Sequence, residues 1–235
     1  MYSQDYPVRS MADAAPSTRA QFVRRTYAHL AGAIFAFIAL ESVLLSLTPV
    51  REAAIGILNK GGGAWLGILA AFMIVGWVAR MFASSAKSIG TQYLGLGLYV
   101  VAEALIFVPL LLLAQYQAGS NTLIYQAGLV TLLLVLALTA TVFITRKDFS
   151  FMRTALLVGS LVAIGMIVAG VIFGFNLGLW FSVGMVILAA GMILYTTSNV
   201  LHHYGEDQYV AASLELFAAV AVLFWYVLRI FMSRD

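Results

Sequence analysis

Seven stretches of the chain are continuously apolar over lengths that suit a membrane-crossing helix: 26–47, 63–82, 89–114, 122–144, 154–173, 178–199 and 209–231. A hydrocarbon core about 30 Å thick takes roughly 20 residues at about 1.5 Å each. Only helices and closed barrels satisfy every backbone group in lipid. Barrel strands alternate apolar and polar positions, and these runs do not, so the pattern predicts helices. Two boundaries rest on weak breaks. No charge occurs between Ala104 and Thr145, where the polar stretch Gln115-Tyr116-Gln117-Ala118-Gly119-Ser120-Asn121 supplies the turn. None occurs between Thr154 and Leu201, where Gly174-Phe175-Asn176-Leu177-Gly178 forces a tight hairpin between the fifth and sixth spans.

Composition points the same way. The 235 residues are 63% hydrophobic and 10% charged, with a mean hydropathy of +0.98. A soluble domain carries roughly 25% charged residues, so too few charges exist here to wet a globule. The expectation is an all-α membrane protein, a seven-transmembrane-helix domain over residues 25–235. Residues 1–24, with Asp5, Pro7, Asp13, Pro16 and Ser17, read as a disordered cytoplasmic tail. The tail leads through Arg24-Arg25 into an uncleaved signal anchor.

The net charge of +3 does not imply a nucleic-acid partner, because the basic residues are scattered between apolar runs. They set orientation instead. With the N-terminus inside, the cytoplasmic segments hold Arg9, Arg19, Arg24, Arg25, Arg80, Lys87, Arg146, Lys147 and Arg153. The opposite side holds only Arg51, Lys60, Arg229 and Arg234, which places the C-terminus outside.

Pairs of small residues, Gly63/Gly67 and Gly170/Gly174, have the spacing that lets membrane helices approach closely, and packing inside the bundle is their expected role. Gly95-Leu96-Gly97 lies within an apolar run, outside the strand–turn–helix setting of a nucleotide fingerprint.

Chemistry is confined to a few positions. Cysteine is absent, which excludes disulfides and thiolate sites. No serine-protease, zinc-protease or phosphate-loop pattern occurs, so no enzyme and no cofactor are expected. His202, His203, Glu206 and Asp207 gather in one connection, but adjacent histidines rarely converge on a metal, and a solvated loop is the expectation. A charge in the hydrocarbon costs about 2.5–3.5 kcal/mol on insertion scales, which makes each one a functional candidate. Glu41 lies about 24 Å beyond Arg25 along the first helix and is expected at the outer headgroups, in reach of water. Glu103 lies about 21 Å into the third helix, between Ala102 and Ala104 and ahead of Pro109. It is either a proton- or cation-binding group or a hydrogen-bonded structural carboxyl. Glu215 falls near 10 Å into the last helix, at the end that also holds Arg80 and His29. That placement allows an ion pair, a gate, or a hydrogen bond between helices.

The chain resembles the transmembrane Bax inhibitor motif family, also called the Bax inhibitor-1 family. The resemblance is carried by Thr145-Arg146-Lys147-Asp148-Phe149-Ser150-Phe151, by Ile193-Leu194-Tyr195-Thr196-Thr197-Ser198-Asn199, and by Ala212-Ser213-Leu214 opening the last helix before the Ser233-Arg234-Asp235 terminus. Arg25-Thr26-Tyr27 and Phe107-Val108-Pro109 are weaker echoes. It implies a bundle whose central helix is the C-terminal one. It also implies a calcium or proton leak, stress protection, or regulation of other membrane proteins, in bacteria the membrane-bound AAA protease. Members of that family place an acid in each of the last two helices, sharing a proton as a pH-sensitive gate. Here those positions are Thr196 and Phe217, and Arg80 falls where the second helix offers the pair a basic partner. Two functions therefore stand as expectations. The first is a bacterial inner-membrane, pH-dependent cation leak or sensor using Glu215, Glu103, Arg80 and Thr196. The second is a non-transporting modulator that binds the protease or other membrane proteins.

Overall fold

A computed structural model describes residues 11–12, 14–85 and 88–233. Among these residues eight α-helices follow in order: α1 (Pro16–Ser46), α2 (Thr48–Asn59), α3 (Gly62–Ala83), α4 (Ile89–Ala118), α5 (Thr122–Thr145), α6 (Arg153–Phe173), α7 (Gly178–His202) and α8 (Tyr209–Met232). A single 3-10 turn, Ser150–Met152, precedes α6, and no strand occurs among the described residues. All but α2 are long and apolar enough to cross a bilayer, which makes the seven expected spans.

The first helix corrects the expected tail. It begins at Pro16, whose fixed backbone angle suits a first helical turn, so residues 16–24 are helix. Ahead of it, Met11 is fully buried and its amide donates to the Tyr204 carbonyl at 3.0 Å. The Arg19 guanidinium holds the same segment by donating to the carbonyls of Met11 and Ala12. Tail residues 1–10 and 13 lie outside the described residues, as do Lys87 and Arg234 from the orientation count.

The short α2 has no counterpart among the apolar runs. With Arg51 and Glu52 it is too polar and too short to span, but Val50, Ala54 and Ile57 recur at helical spacing. That edge packs with Leu44, Leu45, Val108 and Leu112, laying α2 across the ends of α1 and α4. Between α4 and α5 the helix runs on through Pro109 to Ala118, so the connection is shorter than expected. Gly174 and Gly178 both take positive φ and close the tight α6–α7 hairpin.

The C-terminal helix is central, as the resemblance implies: α8 packs against α1, α3, α4, α5 and α7. It shares the centre with α4. Across the most apolar 18 residues of each, two-thirds are buried, against 11–33% for the other spans. Helix α6 stands outside this ring, against α7 and α3. In lipid, helices associate through close packing and interhelical polar contacts more than through hydrophobicity, and the core shows what fills that role. Phe107 meets Phe37 edge-on at 5.2 Å and Trp225 at 4.9 Å, and stacks on Phe224 at 5.7 Å. These rings join α1, α4 and α8.

The small-residue pairs divide: Gly170 is buried, with an added Cβ 3.2 Å from the Phe175 carbonyl oxygen, but the first pair makes no close approach. Gly63 and Gly67 are exposed, with nothing within 4 Å of an added Cβ. Gly95 makes the approach instead. A Cβ there would lie 2.5 Å from the Ala79 carbonyl oxygen and from the Ala83 amide nitrogen. Backbone meets backbone at this point, which seats α3 on α4 and sets where Arg80 falls.

Candidate functional site

Helix α8 is largely buried, and Ala211, Glu215 and Val222 form one half-open stripe along it. The flanking helices α3 and α7 both pack on α8 but not on each other. Glu215 lies near the start of α8 and is half-exposed. From α3, Arg80 reaches across: its Nε donates to Glu215 Oε1 at 3.0 Å. The two side chains keep 43% and 39% of their exposure. The guanidinium also lies over the Tyr99 ring at 5.2 Å, a cation–π contact of the kind that desolvation strengthens. Glu103, one turn beyond Tyr99 on the same face of α4, is 4% exposed.

One cation thus faces two carboxyls across a buried tyrosine. An uncompensated buried charge is costly, so the cluster is neutral when it carries one proton in addition to the arginine's charge. This arrangement gathers groups from α3, α4 and α8 that can share one proton among them. In the α7–α8 connection, Tyr204 packs its ring against Phe22 at 6.3 Å. Burial, and then the nearby Glu215 carboxylate, push its hydroxyl above the usual tyrosine range.

A double-mutant cycle measures the pair. Arg80→Gln should cost more than Glu215→Gln, because the first strands a carboxylate while the second leaves the arginine its tyrosine ring. The coupling energy from thermal unfolding in detergent is expected at about 1 kcal/mol, given the half-exposed geometry. Additive single effects would show that the contact does not hold α3 to α8.

Of the residues singled out from sequence, Arg80, Glu215 and Glu103 come together. Thr196 is buried in α7 at 7% exposure. Its neighbours are engaged structurally: Thr197 Oγ1 accepts from the Tyr27 hydroxyl at 3.3 Å, and Ser198 Oγ accepts from the Phe149 amide at 2.9 Å. Phe217 is 2% exposed, its ring edge-on to Phe37 at 6.0 Å and to Tyr99 at 6.2 Å. The position at which an acid was implied is therefore filled by a ring joining α8 to α1 and α4. His29 packs with Tyr93 and Tyr209, at 5.4 and 5.1 Å.

Glu41 departs from its expected place at the wetted interface. It is 5% exposed, and both carboxyl oxygens are buried without a hydrogen-bond partner. Counting along the helix gave its depth but not its direction. Glu41 continues the inward stripe of Phe22, Thr26, Leu30, Ala33 and Phe37, and α2 closes over the ends of α1 and α4 just beyond it.

Asp148, in the loop of the 145–151 motif, organises the α5–α6 connection. Its Oδ1 accepts from the Ser150 amide at 2.8 Å, and its Oδ2 lies 3.2 Å from His203 Nε2. The Ser150 amide, with His203 as a lesser contributor, holds this carboxyl below the usual aspartate range. His202 turns back to the Ser198 carbonyl at 2.9 Å. The signal was the Asp-x-Ser spacing of an Asx turn.

Residues 19–235 match the model of the family described as inhibitor of apoptosis-promoting Bax1. The chain belongs to the Bax inhibitor-1 family. LIFEGUARD 4 of Arabidopsis thaliana is 27% identical over 228 residues, covering 94% of this chain and 88% of that protein. A Pseudomonas aeruginosa protein, PA2604, is 34% identical over 114 residues, or 48% of this chain and 51% of its own length. The Modulator of FtsH protease YccA of Escherichia coli is 34% identical over 121 residues, 50% of this chain and 55% of that protein. The chain thus spans about half the length of the two bacterial relatives and most of the plant one. It is a multi-pass membrane protein of this family.

Proposed function

We propose that this Bax inhibitor-1 family protein is a non-conducting, non-enzymatic modulator of a membrane-bound AAA protease of the FtsH kind. Its place is a bacterial inner membrane, with the N-terminus cytoplasmic and the C-terminus outside. The observation that carries the reading is Phe217. Where the family resemblance implies the second gating acid, this chain sets a ring edge-on between Phe37 and Tyr99, beside a core of further stacked rings. An aromatic wedge excludes the hydrated acid pair that a leak needs. The similarity to a protein named as a modulator of FtsH protease supports the same reading. Reconstitution of the full chain with the protease in proteoliposomes tests it. Cleavage of a membrane-protein substrate is expected to slow when the chain is present, with calcium and proton flux flat between pH 5 and 8. Identical cleavage rates with and without the chain would overturn the proposal.

A second reading keeps the cation leak for calcium or protons. It is favoured by the two buried acids, Glu41 and Glu103, and by the half-exposed Arg80–Glu215 pair. Flux from liposomes that changes with pH, and loses that dependence in Glu215→Gln, would select this reading.

A further inference from the structure

Helices α1 and α4 enclose a groove that neither functional reading uses. Ala28, His29, Gly32, Ala33, Ala36 and Leu40 line one wall, with Tyr93, Gly97 and Val101 opposite. The cavity volume is about 500 Å³. Gly32 and Gly97 both look into open space, with nothing within 4 Å of an added Cβ. From Ala28 to Leu40 the groove runs about 18 Å along α1, close to the roughly 15 Å depth of one hydrocarbon leaflet. It starts at the N-terminal end of the bundle and stops before the opposite face. Its walls are apolar throughout, and its polar groups are all at the mouth.

At that mouth His29 Nδ1 donates to the Arg25 carbonyl at 2.7 Å, and the Tyr93 hydroxyl lies 2.8 Å from His29 Nε2. The Arg25 guanidinium sits over the Tyr209 ring at 5.5 Å, and that ring is 5.1 Å from His29. Arg25 is exposed, makes no ion pair with a carboxylate among the described residues, and has the exposed Arg24 beside it. Asp207, which acts on Tyr209 from the α7–α8 connection, is the acid of this corner. Tyrosine and arginine at this depth are interfacial anchors. Here they surround the open end of a slot whose length and apolar walls suit one acyl chain.

The geometry points to a binding site for one anionic phospholipid between α1 and α4. An acyl chain lies along Gly32, Ala36 and Gly97, and the phosphate is held by Arg25 with the Tyr93 hydroxyl beside it. A zwitterionic lipid fits the slot equally well, but its ammonium group cancels the attraction to Arg25. Headgroup preference therefore comes from the arginine and retention from the slot, and the two are separable by substitution. Arg25→Gln acts at an exposed position, and Gly97→Leu fills open space, so the fold tolerates both.

Native mass spectrometry of the full chain reads lipid binding directly, after delipidation and titration with phosphatidylglycerol or phosphatidylcholine of identical chains. The wild-type protein is expected to bind one phosphatidylglycerol about fivefold more tightly than phosphatidylcholine, the effect of one arginine near a headgroup. Arg25→Gln should bring the ratio close to one while both lipids still bind, and Gly97→Leu should weaken both. Equal affinity for the two lipids in the wild-type protein would overturn the site. An undiminished preference in Arg25→Gln, or unchanged binding in Gly97→Leu, would do the same.

Discussion

Gly95→Val should lower the thermal midpoint in detergent by about 10 °C, whereas Gly97→Val, two residues along the same helix, should leave it nearly unchanged. At Gly95 a Cβ meets the Ala79 carbonyl oxygen and the Ala83 amide nitrogen at 2.5 Å, and the Phe82 side chain at 3.0 Å. Two of these atoms are backbone, so no rotamer change relieves the clash, and α3 must move away from α4. Overpacking costs about 1–3 kcal/mol where side chains can shift, and backbone opposition puts this case at the upper end. For a chain of this length about 3 kcal/mol corresponds to roughly 6–12 °C. The displacement also draws Arg80 away from Tyr99 and Glu215, so the Arg80–Glu215 coupling should vanish in the Gly95→Val background. A midpoint within a degree or two of wild type would show that α3 and α4 do not meet here.

Gly95 also marks where reading the sequence stopped. Spacing picked out Gly63/Gly67 and Gly170/Gly174, because four-residue repeats are visible without knowing which helix face turns inward. It passed over Gly95, whose importance lies in a partner sixteen residues upstream across a connection. The seven spans were legible because lipid imposes a length and an absence of charge that leave little room for error. The Arg80–Glu215 contact was legible in outline, since both groups fall near one end of their helices and opposite charges in hydrocarbon seek each other. Hidden from view were Tyr99, which links that pair to Glu103, and α2, too short and polar to register as a span. Both depend on what packs against what.

The replaced acids gain their meaning from the same packing. Thr196 and Phe217 could be read from sequence as losses, yet the structure shows Phe217 as a gain. Its ring adds to the cluster of Phe37, Phe107, Phe224 and Trp225 that fixes α1 and α4 to α8. The remaining polar chemistry lies on either side of this cluster. Arg80, Glu215 and Tyr99 are toward the N-terminal end, while Glu41 stands a helical turn past Phe37 toward the other. Packed rings thus partition the two polar regions.

Glu41→Leu should raise the thermal midpoint, by about 4–8 °C if the gain is about 2 kcal/mol. A buried carboxyl with neither oxygen partnered carries a desolvation cost that no contact returns, and Glu41 is such a group. Leucine occupies similar space, suits the lipid-immersed helix, and extends the stripe of Leu30, Ala33 and Phe37 without a polar atom. Glu41→Gln keeps the polar burden and should give no such gain, which separates polarity from volume. A natural chain that keeps a destabilising buried acid tends to do so for function, and the two functional readings then diverge. Under the modulator reading the stabilised Glu41→Leu protein still slows the protease. Under the leak reading it loses proton or cation flux, because Glu41 is the acid on the far side of the aromatic partition. A midpoint unchanged or lowered in Glu41→Leu would show instead that the carboxyl is stabilised where it lies, by a bound water or cation between α1, α4 and α8.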